Sequence, residues 1–181
     1  MSTYHHGDLR AALLASASEI LEEEGLAALS LREVARRAGV SHNAPYRHFP
    51  DRDSLLAELA ALGFRQLGDA MGAKQGREMG EAYVRFALEH PGRFRLMFGG
   101  QVRLKQHALL AAAARQTYDA LVSAFRAQPG VVDPENAAAA AWSLVHGLAQ
   151  LLLDGHFEAR GERFVAEVIG AVRFASAQRS A

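Results

Sequence analysis

Residues 30–49 read SLREVARRAGVSHNAPYRHF, and this run constrains the fold more than any other part of the chain. Ser30 and Glu33 have the spacing of a capping box, in which each side chain satisfies an orphan backbone N–H at a helix start. Val34 and Ala35 then face inward, and Ala35 is small enough for two helices to approach closely. Gly39 permits the positive φ of a tight turn, and Val40 plugs the junction. Ser41 is placed to cap a third, short helix running to about His48. Phe49 locks that helix against the first. The pattern predicts helix, tight turn, short helix, with Pro50-Asp51 as the stop.

Helix signals recur on both sides of this run. Asp8 is a good N-cap for a first helix whose buried stripe is Leu9, Leu13, Ala17, Ile20 and Leu21. Gly25 ends it. A fourth helix over 51–70 repeats Leu55, Leu56, Leu59 and Leu62. The stretch from Gly68 to Gly80 holds four glycines among polar residues and reads as a loop. Further helical pieces follow over 79–89, 94–98 and about 103–127. Asp133-Pro134 starts another, with Asp as cap and Pro at the first helical position, and Gly155 ends it. A last helix covers about 161–177. Alanine and leucine, the best helix formers, dominate, and only five prolines interrupt them. The expected fold class is all-α.

Several function classes are disfavoured. The chain has no cysteine, which removes disulfides and thiolate metal sites and suits a reducing cytoplasm. No segment approaches the roughly 18 unbroken apolar residues of a membrane span, and the first residues lack a signal pattern. His107, His146 and His156 lack close ligand spacing, so neither metal nor cofactor is expected. There is no phosphate-binding glycine loop and no His-Glu-x-x-His helix, which argues against an enzyme.

Charge points to a different partner. The formal net charge is zero, which disfavours a non-specific polyanion binder. Between positions 32 and 52, however, Arg32, Arg36, Arg37, Arg47 and Arg52 stand against Glu33 and Asp51, a local balance of +3. A positive face on a neutral protein fits specific docking on duplex DNA.

Over about Tyr4 to Leu67, and above all in Tyr46-Arg47-His48-Phe49-Pro50-Asp51-Arg52, the chain resembles the DNA-binding domain of the TetR/AcrR family of bacterial repressors. Trp142 with His146-Gly147, and the opening Tyr4-His5-His6-Gly7-Asp8-Leu9-Arg10, are similar to a subgroup known for a Trp-His-Gly signature. The resemblance implies an N-terminal three-helix helix-turn-helix domain over 1–52, connected by the fourth helix (51–70) to a helical ligand-binding and dimerisation domain over 53–181. It implies a cytoplasmic homodimer that represses transcription from a palindromic operator and is released by a small hydrophobic or amphipathic effector. A DNA-binding regulator without small-molecule control is the alternative.

Residue roles follow from the same resemblance. His42, Asn43 and Ala44 lie where a recognition helix, capped by Ser41, meets base edges; Asn43 suits adenine and Ala44 a thymine methyl. Arg47 reads guanine or binds phosphate. Tyr46, His48 and Arg52 match phosphate-binding positions, and Ser30 and Arg32 join them at the start of the second helix. Pro45 departs from the family pattern, since a proline this far into a helix tends to bend or delay it. Phe94, Met97, Phe98, Tyr118, Trp142 and His146 are candidate pocket residues. Ala141, Leu144, Leu148 and Leu152 on one helix, with Val165, Val168, Ile169 and Val172 on the last, are candidates for a four-helix dimer interface.

Overall fold

The computed structural model describes residues 9–157 and 161–172, and every described regular element is helical. The described residues form two compact units. The first holds those up to Gly63 together with His90–Ala112, and the second holds Phe64–Glu89 and the described residues from Ala113 onward.

The first unit contains α1 (Leu9–Glu23), α2 (Leu31–Arg37), a 3-10 turn at Pro45–Arg47, and the start of α3 (Arg52–Met71). It also contains α5 (Pro91–Phe98) and a 3-10 turn at Leu104–Gln106. The expected stripe of α1 is buried at Leu13, Ala17, Ile20 and Leu21. Gly25, at φ +82°, bonds back to the Ile20 carbonyl at 3.1 Å and ends the helix. The expected cap Asp8 and the residues before it lie outside the described residues. Leu29, Leu31, Val34, Ala35, Phe49, Leu55, Leu56 and Leu59 complete this core.

α1 also meets α5. The Glu22 carboxylate accepts from the backbone N–H groups of Gly92 (2.8 Å) and Arg93 (3.1 Å), capping the first turn of α5. Negative charge at a helix N-terminus is favourable. The two helices touch closely here, since a Cβ on Gly92 would lie 2.5 Å from the Leu21 carbonyl oxygen.

The second unit contains the end of α3, α4 (Gly76–Glu89), most of α6 (Ala108–Arg126), α7 (Pro134–Leu153) and α8 (Gly161–Ala171). α4 packs on both α7 and α8. Asp133 caps α7 as expected, accepting from Asn136 N–H at 3.0 Å. Among the described residues one helix, α7, is long and apolar enough by length and composition to cross a membrane, although it buries Ala138, Val145, Leu148 and Ala149 within this chain.

Three sequence expectations are corrected. Residues 41–48 do not form an α-helix: they make a turn and then a single 3-10 turn beginning at Pro45. Proline has no N–H to continue an α-helical ladder, so the segment winds tighter instead. The loop expected over 68–80 shrinks to 72–75, because Gly68 and Gly80 lie inside α3 and α4. A Cβ on Gly80 would sit 3.2 Å from both Val145 and Ile169 side chains, so this glycine lets three helices approach rather than breaking one. The helix expected from 103 begins only at Ala108, behind the 3-10 turn. For the last helix, the expected residues beyond 172 lie outside the described residues.

Candidate nucleic-acid interface

The helix-turn-helix is held by a short series of backbone devices. Ser30, extended at φ −138° and ψ 156°, accepts the Glu33 N–H on its hydroxyl at 3.2 Å. That is the serine half of the expected box; the Glu33 carboxylate takes the Arg36 Nε–H instead, at 2.9 and 3.1 Å. This bond holds the Glu33 carboxyl below its usual range. Gly39, at φ +68°, donates to the Arg36 carbonyl, and Val40 N–H donates to Ala35 at 3.0 Å, closing the turn.

The recognition segment is fixed from beneath. Ala44 N–H bonds to the Ser41 carbonyl at 2.9 Å. The Pro45 carbonyl accepts from both His48 and Phe49 N–H groups at 2.9 Å. The Pro45 ring is buried and Phe49 is wholly enclosed, with the Arg10 guanidinium 5.9 Å from its ring centre. Asp51 then caps α3, accepting from the Ser54 N–H (2.7 Å) and hydroxyl (2.6 Å), and these bonds lower its carboxyl pKa.

On this base the sequence-named DNA residues fall into three groups. Arg32, Ser41, His42, Asn43, Tyr46 and Arg47 are exposed, Tyr46 keeping 49% of its surface open. Ala44 and His48 are half-buried, and Ser30 is exposed but engaged as the cap. Arg52 has a structural role: its Nε and Nη2 groups donate to the Leu29 and Leu26 carbonyls, each at 2.8 Å.

The positive balance read from 32–52 is also partly cancelled. Arg37 pairs with Glu23 at 2.6 Å, with Glu24, and with Glu19 at 3.9 Å. Arg36 pairs with Glu33. Arg32 and Arg47 are the two of these five arginines without a hydrogen bond or ion pair among the described residues, and both are exposed.

Residues 13–59 match the family described as "Bacterial regulatory proteins, tetR family", and residues 77–172 match "Tetracyclin repressor-like, C-terminal domain". The chain belongs to the TetR family. As a TetR-family protein it is a DNA-binding transcriptional regulator and not an enzyme. It is similar to the Bacillus subtilis (strain 168) HTH-type transcriptional regulator YobS, 27% identical over 79% of this chain and 78% of that one. Among solved structures it resembles a Rhodococcus sp. RHA1 protein of unknown function, 35% identical over 94% of each chain, with a TM-score of 0.77. It shares the fold of the TetR-family regulator PfmR from Thermus thermophilus, at 22% identity and a TM-score of 0.64, over 87% of this chain and 94% of that one.

The remaining site residues of this TetR-family regulator are spread over both units. Phe94, Met97 and Phe98 belong to the first, where Phe94 and Met97 are core and the Phe94 and Phe98 rings lie 5.0 Å apart. Tyr118, Trp142 and His146 are half-buried in the second, with Tyr118 and Trp142 ring centres 5.5 Å apart. The sequence reading missed Tyr83, which links this set: its hydroxyl accepts from Trp142 Nε1 at 3.0 Å and lies 2.9 Å from His146 Nδ1. A cavity of about 210 Å³ in the same unit has other walls, chiefly Met71, Met79, Leu121 and Ala124, with Lys74 among them. Of the interface candidates, Leu148 is buried within the chain; Ala141, Leu144, Leu152, Val165, Val168 and Ile169 are half-covered, and Val172 is exposed.

Proposed function

We propose that this regulator is a cytoplasmic homodimeric repressor of a palindromic operator, with residues 1–52 reading DNA and 53–181 sensing an effector and dimerising. The observation that carries the reading is the recognition segment. Exposed His42, Asn43, Tyr46 and Arg47 stand on a turn whose underside, Pro45 and Phe49, is locked in the core. Base edges are read by Asn43 and Arg47, and phosphates are held by Tyr46 and His48.

The dimer reading is supported by α7 and α8. α7 is apolar along most of its length, yet Ala141, Leu144 and Leu152 are only half-covered and Leu151 is 41% exposed. A second copy related by a twofold axis covers such a face and places two recognition segments on successive half-sites. The Trp142 and His146-Gly147 signature supports membership of the Trp-His-Gly subgroup, with Tyr83 as the residue that ties its Trp and His together.

Release follows if a small hydrophobic or amphipathic effector binds the second unit more tightly in a state that fits the operator poorly. The test is selection of sites from random duplex DNA, then a salt titration and an effector screen on the selected sequence. A palindromic motif with steep salt dependence is expected. No enriched motif overturns the operator reading, and an effector-insensitive affinity leaves a regulator without small-molecule control.

A further inference from the structure

The second unit contains a gap that its own helices leave open. Thr117 on α6 clamps α3, its hydroxyl donating to the Phe64 carbonyl at 2.9 Å. Past this clamp both chains carry small residues one helical turn apart: Gly68 and Gly72 at the end of α3, and Ala120 and Ala124 on α6. With so little side chain between them, the two backbones border the cavity of about 210 Å³. A Cβ on Gly68 would meet only the Thr117 hydroxyl, at 3.6 Å, so the space is not taken up by a neighbour.

Its walls and rim differ in chemistry. Met71 and Met79 are buried and Leu121 is half-buried, which makes the walls apolar. Methionine sulfur is polarisable and packs well against aromatic rings. Lys74 and Gln75, both exposed, stand at the rim. Lys74 Nζ donates to the Ala70 carbonyl at 2.7 Å, which holds the ammonium at the end of α3. An ammonium has three N–H donors, so donors remain for a ligand, and Lys74 makes no ion pair among the described residues. Asp69, Glu78 and Asp119 occur on the same three helices, but none of them lines the cavity.

We propose that this cavity binds a small aromatic carboxylate, with its ring between Met71 and Met79 and its carboxylate on Lys74. The proposal deepens the effector reading and rests on it only for the link to DNA release. Size narrows the class: an apolar cavity of about 150 Å³ admits benzene, while drug-sized ligands need about 300 Å³ or more. One ring with one carboxylate fits between those bounds.

The experiment titrates the full chain, labelled at its methionine methyls, with benzoate, benzamide and benzylamine. Benzoate is expected to shift the Met71 and Met79 methyl resonances saturably and to leave Met97, in the first unit, unmoved. Benzamide binds more weakly and benzylamine not at all. Lys74→Gln lowers benzoate affinity by about 2–5-fold, the size of an exposed ion pair, and erases the preference over benzamide. Gly68→Leu fills the cavity and abolishes the shifts; should it melt early, Ala124→Leu fills the same space from α6. No saturable shift at Met71 and Met79 overturns the proposal, as does parental benzoate binding in both filled variants. Benzylamine binding as well as benzoate overturns the carboxylate assignment. Benzoate that shifts both methyls without altering operator affinity leaves the site standing and removes it from DNA release.

Discussion

Arg52 and Tyr46 share a segment of sequence and have opposite physical roles. Arg52 ties the α1–α2 connection to the start of α3 through two carbonyls, so Arg52→Ala is expected to cost about 1–2 kcal/mol of folding stability. Tyr46 is half-exposed, so Tyr46→Ala changes stability by less than about 0.5 kcal/mol and weakens binding to every duplex alike. Thermal unfolding and DNA titration of both variants separate the two; a Tyr46→Ala variant with parental affinity removes its phosphate role. His146 carries a pH prediction. Trp142 Nε1 can only donate, so the Tyr83 hydroxyl accepts from it, and the direction of the 2.9 Å bond between that hydroxyl and His146 Nδ1 follows the tautomer of the imidazole. Burial lowers the His146 pKa from its ordinary 6.5. The unfolded chain therefore takes the proton first, and the stability this residue contributes is full above about pH 6.5 and declines as pH falls below it. Melting temperatures from pH 7.5 to 5 should show that decline, flattened in His146→Gln; an equal decline in the variant assigns it to other groups. Trp142 and His146 were legible as a pair from the resemblance to the Trp-His-Gly signature. Tyr83 was not, because spacing on one helix does not say which residue stands opposite.

At the scale of elements, local chemistry was a good guide to where helices start and a poor one to glycine. The Ser30 and Asp133 caps and the Gly25 and Gly39 turns stand where side-chain and φ requirements place them. Gly68 and Gly80 look like breakers in sequence, yet both sit inside helices, Gly80 where Val145 and Ile169 crowd in, which only tertiary structure reveals. The winding of 41–48 turned on Pro45, a signal present in the sequence whose consequence, a 3-10 turn rather than a later or bent helix, was not. The α1–α5 contact left no sequence trace, since Glu22 and Gly92 are far apart in the chain. It carries a sharp prediction. A Cβ on Gly92 meets backbone at Leu21 and not a movable side chain, so Gly92→Ala must push α5 away and loosen the Glu22 cap. The expected loss is about 1–3 kcal/mol, measured by denaturant unfolding; a loss under about 0.5 kcal/mol means the two helices separate without cost.

For the whole molecule, the balance of charge matters more than its total. The arginine count over 32–52 was legible, but its partners were not, because Glu19, Glu23 and Glu24 come from outside that run. The all-helical class and the DNA-binding element were legible because composition, turn chemistry and spacing agreed. The return of His90–Ala112 to the first unit was not, since nothing local marks it. Assembly can be checked at the same scale. Leu151 is 41% exposed on the α7 face proposed for the dimer, so Leu151→Glu should shift that dimer to monomer in sedimentation while each chain keeps its helix content, and a parent that already sediments as a monomer overturns the dimer reading. An unchanged dimer moves the interface off this face. Pro45 reaches beyond geometry to thermodynamics. Its ring fixes φ and its carbonyl already holds His48 and Phe49, so the recognition segment has little conformational freedom left to surrender at the operator. On the proposed operator, association is therefore expected to be a rigid encounter, with the modest heat-capacity change of the surface it covers and without the larger change that accompanies folding on binding.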